Sequence, residues 1–178
     1  MSTSKLQQAV LFATQSHFGD DREGPAPLPY ITHPMEVLIN LRYIGEVADE
    51  EMLCAAALHD VIEESSIKLG EIGQRFGSRV ETLVKELTRR EPTAEETSGL
   101  TKDEIWNLRA GILVEEIEAM SFDAKAIKLA DRLANVREAK LVKKGKKLTR
   151  YLDQTKKILK VVDRTVNPNL WNAIQSEL

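Results

Sequence analysis

Four ionisable residues sit within the apolar run Ala55-Ala56-Ala57-Leu58-His59-Asp60-Val61-Ile62-Glu63-Glu64. On a helix, residues three and four apart share a face. That spacing predicts Glu63 and Glu64 one turn below His59 and Asp60. Burying such a group is unfavourable unless something binds it. A divalent metal with its water is the simplest occupant, and a partly exposed helix end with ordinary surface glutamates is the plain alternative.

Two further residues raise the same question. Asp131 lies between Ala130 and Arg132, with Leu129 and Leu133 close by. A carboxylate there is either protonated or held by a cation. Arg132 is the nearest cation in sequence, but adjacent helical residues point about 100° apart. Asn135, four residues on, shares the face of Asp131, so a structural ion pair and a metal ligand both remain open. His33 precedes Pro34 at a helix start and is one of only three histidines. Two imidazoles and two carboxylates make a mixed nitrogen and oxygen set suited to Mn, Fe or Zn rather than Ca. His33, His59-Asp60 and Asp131 fall on three separate predicted helices, so only the fold can bring them together.

The elements that must position these residues are helical throughout. An amphipathic helix is predicted from about Lys5 to Phe18, with Leu6, Val10, Ala13 and His17 on one stripe. The Gly- and Pro-rich segment from Gly19 to Tyr30 is a restricted loop, and Thr32-His33-Pro34 restarts a helix that Gly45 stops. Asp49 is placed to cap the helix carrying His59. Capping-box patterns at Ser78-Arg79-Val80-Glu81 and Thr101-Lys102-Asp103-Glu104 open two more helices, around a polar loop from Arg89 to Leu100. Phe122 to Val142 is the most continuously apolar helix and is predicted to cross the middle of the domain. Helices over Leu148–Thr165 and Asn169–Leu178 follow. The expectation is an all-α bundle of about eight helices around a metal site, with residues 1–178 forming one domain.

Bulk properties narrow the functional classes. The chain has 178 residues, 30% charged and 42% hydrophobic, and a net charge of -3, so no overall field favours nucleic acid or an anionic membrane. Aromatic residues at 5% argue against a stacking platform for single strands. The one dense basic patch, Lys143-Lys144-Gly145-Lys146-Lys147, is read as a solvated connection between helices, with attraction of phosphates to a nearby pocket as the alternative. The single cysteine, Cys54, is expected to be a buried thiol. No apolar run approaches the ~18–20 residues that span a bilayer and no signal segment opens the chain, so a cytoplasmic location is expected. The sequence sets no oligomeric state.

Three ordered motifs carry a family resemblance. His17-Phe18-Gly19…Arg22…Pro29-Tyr30-Ile31-Thr32-His33-Pro34 resembles the opening signature of the RelA/SpoT-type alarmone hydrolases within the HD superfamily of metal-dependent phosphohydrolases. Leu58-His59-Asp60-Val61-Ile62-Glu63-Glu64 and Lys128-Leu129-Ala130-Asp131-Arg132-Leu133-Ala134-Asn135-Val136-Arg137 resemble its second and third signatures. Order and spacing agree from about residue 5 to 165, and the chain is similar to a stand-alone small alarmone hydrolase.

The resemblance implies an enzyme that hydrolyses the 3′-pyrophosphate of an alarmone of the stringent response, (p)ppGpp or (p)ppApp, and releases pyrophosphate. It implies His33, His59, Asp60 and Asp131 as metal ligands with one Mn²⁺, and Glu63 and Glu64 as the pair that handles the water. Arg22, Asn135, Tyr151 and Lys128 fall to the nucleotide. This chain departs from the pattern in three places. Glu64 replaces the usual aspartate, Glu23 replaces a cation beside Arg22, and the loop before Tyr30 is about two residues longer. These changes touch the nucleotide side of the site. An HD phosphohydrolase acting on another nucleotide, such as a nucleoside monophosphate or an NADPH-like molecule, is the alternative, and a non-catalytic alarmone sensor is a third reading.

Overall fold

From Met52 to Leu58 every side chain is apolar, and the helix built from them, α3 (Glu50–Leu58), is buried on all sides. A helix without a polar face is stable only inside other elements. In the computed structural model, which describes residues 4–22 and 27–178, α3 is enclosed by α1 (Lys5–Ser16), α2 (Thr32–Ile39), α6 (Ser78–Leu87) and α9 (Phe122–Val142). Cys54 is fully buried here, and burial pushes its thiol up to about 12. The expectation for that residue holds.

The second organising element is α9, which packs against α2, α3, α6, α10 (Lys146–Val161) and α11 (Pro168–Ser176). Ala124, Ala126, Ile127, Leu129, Ala130, Leu133, Ala134 and Val136 are all buried, so the helix crosses the middle as its composition predicts. The small side chains let α2 approach closely, which brings His33 over the Asp131 turn. A π-helical segment, Asn40–Ile44, continues α2 and ends at Gly45. A Cβ at Gly45 would stand 2.7 Å from the Leu41 carbonyl oxygen and 2.9 Å from Leu170 Cδ1. Close packing against α11 therefore requires glycine at this position.

Helices α5 (Leu69–Phe76), α7 (Ala94–Thr97) and α8 (Lys102–Ala119) complete the outer layer, with α8 lying on α10. Among the described residues there is no strand; the single isolated bridge, Asp21 to Pro29, pinches the loop that carries Arg22. The all-α expectation is borne out. No helix is long and apolar enough to cross a membrane among the residues described.

Local expectations fared unevenly. Asp49 caps α3, accepting from the Glu51 and Met52 amides, and Thr101 with Glu104 forms the expected capping box on α8. The Ser78 box does not form, because Gly77 at φ 96° already turns the chain between α5 and α6 and is itself the cap residue. The 89–100 loop contains the one-turn helix α7, closed by a Thr93–Glu96 capping box. Helix α10 begins at Lys146, so half of the basic patch is helical rather than connecting. These short pieces raise the helix number from about eight to the eleven α-helices described.

Candidate active site

The helix carrying His59 is not continuous. Helix α3 ends at Leu58, His59 and Asp60 form a turn, and α4 (Val61–Glu64) starts afresh. The expected stacking of Glu63 and Glu64 on a single straight helix is corrected accordingly. The break has a local cause. Asp60 serves as the cap residue of α4, its carbonyl accepting from both the Glu63 and Glu64 amides. Its carboxylate meanwhile turns to accept from the Tyr30 hydroxyl at 2.8 Å.

The same break fixes the imidazole of His59. Its Nδ1 donates to the Ala56 carbonyl at 2.9 Å, a helix-end carbonyl that lacks a helical partner. With the proton on Nδ1, the Nε2 lone pair points inward. It lies 3.1 Å from Asp60 Oδ1 and 3.8 Å from Asp131 Oδ1. That nitrogen is buried and makes no hydrogen bond. His33 Nε2 lies 3.3 Å from Asp131 Oδ1 and 3.5 Å from Asp60 Oδ2.

Lone pairs and carboxylate oxygens at these separations repel unless a cation lies among them. His33, His59 and Asp60 each offer a donor atom, all within 4.8 Å of one another. Asp131 Oδ1 faces both imidazoles from the other side. The orphaned Nε2 and the mixed donor set fit a divalent transition metal. The fold thus brings together all four residues that the sequence could only place on separate helices.

Burial alone would raise the carboxyls of Asp60 and Asp131. For Asp131 the Lys128 ammonium outweighs it, so that carboxyl is held well below the usual range. Lys128 Nζ is 2.8 Å from Asp131 Oδ2. Lys128, rather than Arg132, is therefore the cation beside Asp131. Its position three residues earlier on the helix was a legible signal, because residues at that spacing are neighbours. Asn135 donates its amide to Asp131 Oδ1, as its shared face predicts.

Glu63 and Glu64 line the adjoining cavity of about 1020 Å³. Burial raises the Glu63 carboxyl although it accepts from the Arg89 amide at 2.7 Å. The Arg89 guanidinium stands 3.6 Å from its other oxygen. A half-buried carboxylate with a raised pKa beside a mixed-ligand cluster has the properties of a general base. Glu64 is exposed.

The residues expected to meet the nucleotide fall on the same cavity: Arg22, Lys128, Asn135 and Tyr151 all line it. Arg22 is paired with Glu138 of α9, a clasp between residues 116 apart that nothing in the sequence announced. Glu23, which carries the exchanged charge, lies outside the described residues. Tyr30 had no assigned role in the sequence. It now ties His17 to Asp60, with its ring stacked on His17 at 4.7 Å between centroids and its hydroxyl on Asp60. His17 is buried and both its ring nitrogens lack partners.

Comparison with known proteins decides the family. An HD-domain family model matches residues 9–161. The chain belongs to the HD-domain family. Among curated HD-domain relatives, the guanosine-3′,5′-bis(diphosphate) 3′-pyrophosphohydrolase MESH1 of Danio rerio is 34% identical over 77% of this chain and 70% of its own length. The Homo sapiens MESH1 is 35% identical over 76% of this chain and 69% of its own. The GTP pyrophosphokinase rsh of Brucella abortus is 30% identical over 97% of this chain, which spans 24% of that longer protein. A solved metazoan orthologue of SpoT, described as hydrolysing ppGpp and playing a role in starvation responses, superposes with a TM-score of 0.83. It is 28% identical and matches 99% of this chain and 95% of that one.

Proposed function

We propose that this chain, as one HD phosphohydrolase domain, hydrolyses the 3′-pyrophosphate of guanosine 3′,5′-bis(diphosphate), releasing pyrophosphate and the 5′-phosphorylated nucleoside. The observation that carries the reading is the His33, His59, Asp60 and Asp131 cluster beside a cavity of about 1020 Å³, a volume that accommodates a nucleotide. It is supported by the ppGpp activity named for the MESH1 relatives and for the superposing SpoT orthologue.

In this reading the four residues hold one divalent ion, with Mn²⁺ the ion proposed. When bound, such an ion supplies Lewis acidity, lowering the pKa of water from about 15.7 toward ~7 and shielding phosphoryl charge. The residues of the chain do the rest. His59 is presented as the correct tautomer by the Ala56 carbonyl, and Asp60 is oriented by Tyr30. Lys128 neutralises the outer oxygen of Asp131.

Glu63 takes a proton from the attacking water, and its raised pKa makes it a stronger base than a surface glutamate. Glu64 steadies that water from the cavity side. The water oxygen bonds to the phosphorus next to the ribose and the bond to the 3′ oxygen breaks. The proton taken by Glu63 then passes to that oxygen, which leaves a 3′-hydroxyl and inorganic pyrophosphate and restores the carboxylate. Arg22, Asn135, Lys128 and Tyr151 contact the nucleotide and hold the reacting phosphorus near the water.

The test is a side-by-side assay of pyrophosphate release with Mn²⁺ from the guanosine alarmone, the adenosine alarmone, a nucleoside monophosphate and NADPH. Preferential cleavage of a 3′-pyrophosphorylated nucleotide is expected. Turnover of the simple nucleotides without alarmone cleavage would assign a different phosphohydrolase activity, and tight alarmone binding without any turnover would make the chain a sensor.

A further inference from the structure

Arg132 follows Asp131 on α9, yet its side chain leaves in another direction and meets α10. The residue is only 4% exposed. Its Nη2 donates to Gln154 Oε1 at 3.2 Å, and its guanidinium lies 4.8 Å from the centre of the Tyr151 ring. Its Nη1 is buried without any hydrogen-bond acceptor. The three acidic residues on its own helix are already engaged, Asp123 with Arg79, Asp131 with Lys128 and Glu138 with Arg22. Among the described residues Arg132 has no carboxylate partner. Lys143, also without an ion pair among these residues, has its ammonium 5.7 Å from the centre of the same Tyr151 ring.

A buried cation without a counter-charge is destabilising, and an unused N–H adds the cost of a missing hydrogen bond. An anion in the cavity removes both costs. A guanidinium offers paired donors that match a phosphate, while an ammonium contributes a point charge beside it. Arg132, Lys143, Tyr151 and Gln154 line the same cavity as His33, Asp60 and Asp131. The cavity therefore carries the histidine and carboxylate cluster and, on its α9–α10 wall, the cations Arg132 and Lys143, unpaired among the described residues.

We propose that Arg132, assisted by Lys143, forms an anion subsite that takes the 5′-phosphate end of the nucleotide while its 3′-pyrophosphate lies at the histidine and carboxylate cluster. The assignment rests on the pyrophosphohydrolase reading above and makes Arg132 a specificity-determining residue. The ligand chemistry is a phosphoryl group; its source is either the 5′ end of the substrate or free phosphate.

The test measures binding of guanosine 5′-diphosphate and of guanosine to the metal-loaded full chain by calorimetry. Neither ligand has a 3′-pyrophosphate, so the subsite is read even if pyrophosphate release fails. A charge-assisted hydrogen bond of ordinary strength predicts that the wild type binds the diphosphate about 10- to 100-fold more tightly than guanosine. In Arg132→Met this gap falls toward unity, and Arg132→Lys restores part of it. Lys143→Ala, on a more exposed side chain, narrows the gap by about 2- to 5-fold. If Arg132→Met does not fold, Lys143→Ala carries the same comparison.

Equal losses for both ligands mean a structural role and overturn the proposal. So does an unchanged gap in both Arg132→Met and Lys143→Ala. Inorganic phosphate alone is the second arm. If the wild type binds it as tightly as guanosine 5′-diphosphate and Arg132→Met loses that binding, the subsite serves free phosphate and the assignment to the nucleotide is overturned.

Discussion

Removing one hydroxyl tests how the fold prepares its proposed metal site. In Tyr30→Phe the ring stays on His17, where the centroids are 4.7 Å apart, and only the 2.8 Å bond to Asp60 Oδ2 is lost. Two consequences oppose each other. Without the donor, Asp60 is more basic and binds a cation more strongly. It is also free to rotate away from His33 and His59. A hydrogen bond to a charged group contributes about 1.5–3 kcal/mol, or about 10- to 150-fold at about 1.4 kcal/mol per decade. Side-chain exposure of Asp60 is 15%, so partial hydration favours the lower half of that range. Loss of such orienting partners commonly weakens metal binding by about 10- to 100-fold, so orientation outweighs basicity. We predict that the Mn²⁺ Kd of Tyr30→Phe rises by about 10-fold, measured by competition with a chelating dye at neutral pH. Unchanged or tighter binding would refute the claim that Tyr30 positions Asp60.

Three further outcomes follow from the geometry. Glu63→Gln should lower pyrophosphate release by about 10²–10⁴-fold, the usual range for general acid–base catalysis, and remove the acidic limb of the wild-type pH profile. Because burial raises the folded Glu63 pKa, its stability contribution is favourable below the unfolded value and lost as pH rises through the folded one. Metal-free Glu63→Gln should accordingly resist urea better than metal-free wild type at pH 7, and a less stable variant would contradict the burial argument. Lys128→Met leaves the buried Asp131 carboxylate without its cation and should cost about 3–5 kcal/mol in metal-free protein; Mn²⁺ should narrow that loss, whereas an equal loss with and without the ion would separate Asp131 from the metal. Gly45→Ala should lower stability by about 1–3 kcal/mol through overpacking against Leu41 and Leu170, and an unchanged denaturation midpoint would show that α11 moves aside freely.

The parts of this fold that were legible in the sequence are those set by local pattern. The apolar run before His59 announced α3, the most continuously apolar stretch announced α9 as the central helix, and Asp49 and Thr101 announced the caps of α3 and α8. The acidic pair after His59-Asp60 and the isolated Asp131 announced a cation. Interactions spanning the chain left no such trace. Tyr30 reaches Asp60 and Arg22 reaches Glu138 because α2, which follows their loop, packs beside both α3 and α9. The Ser78 box failed because a glycine in the left-handed region ended one helix and began the next at the same point. Sequence spacing also treated the His59 helix as straight, and the turn at His59-Asp60 is what aims both side chains at the cluster.

The central claim is that His33, His59, Asp60 and Asp131 together hold the ion needed for pyrophosphate release. The most direct test is to strip the metal, titrate Mn²⁺ back into wild type and Asp131→Asn, and follow bound metal and pyrophosphate release from guanosine 3′,5′-bis(diphosphate) together. Activity that saturates at one ion per wild-type chain, with both signals lost in Asp131→Asn, is the predicted result. Full metal binding and undiminished release in Asp131→Asn would contradict it.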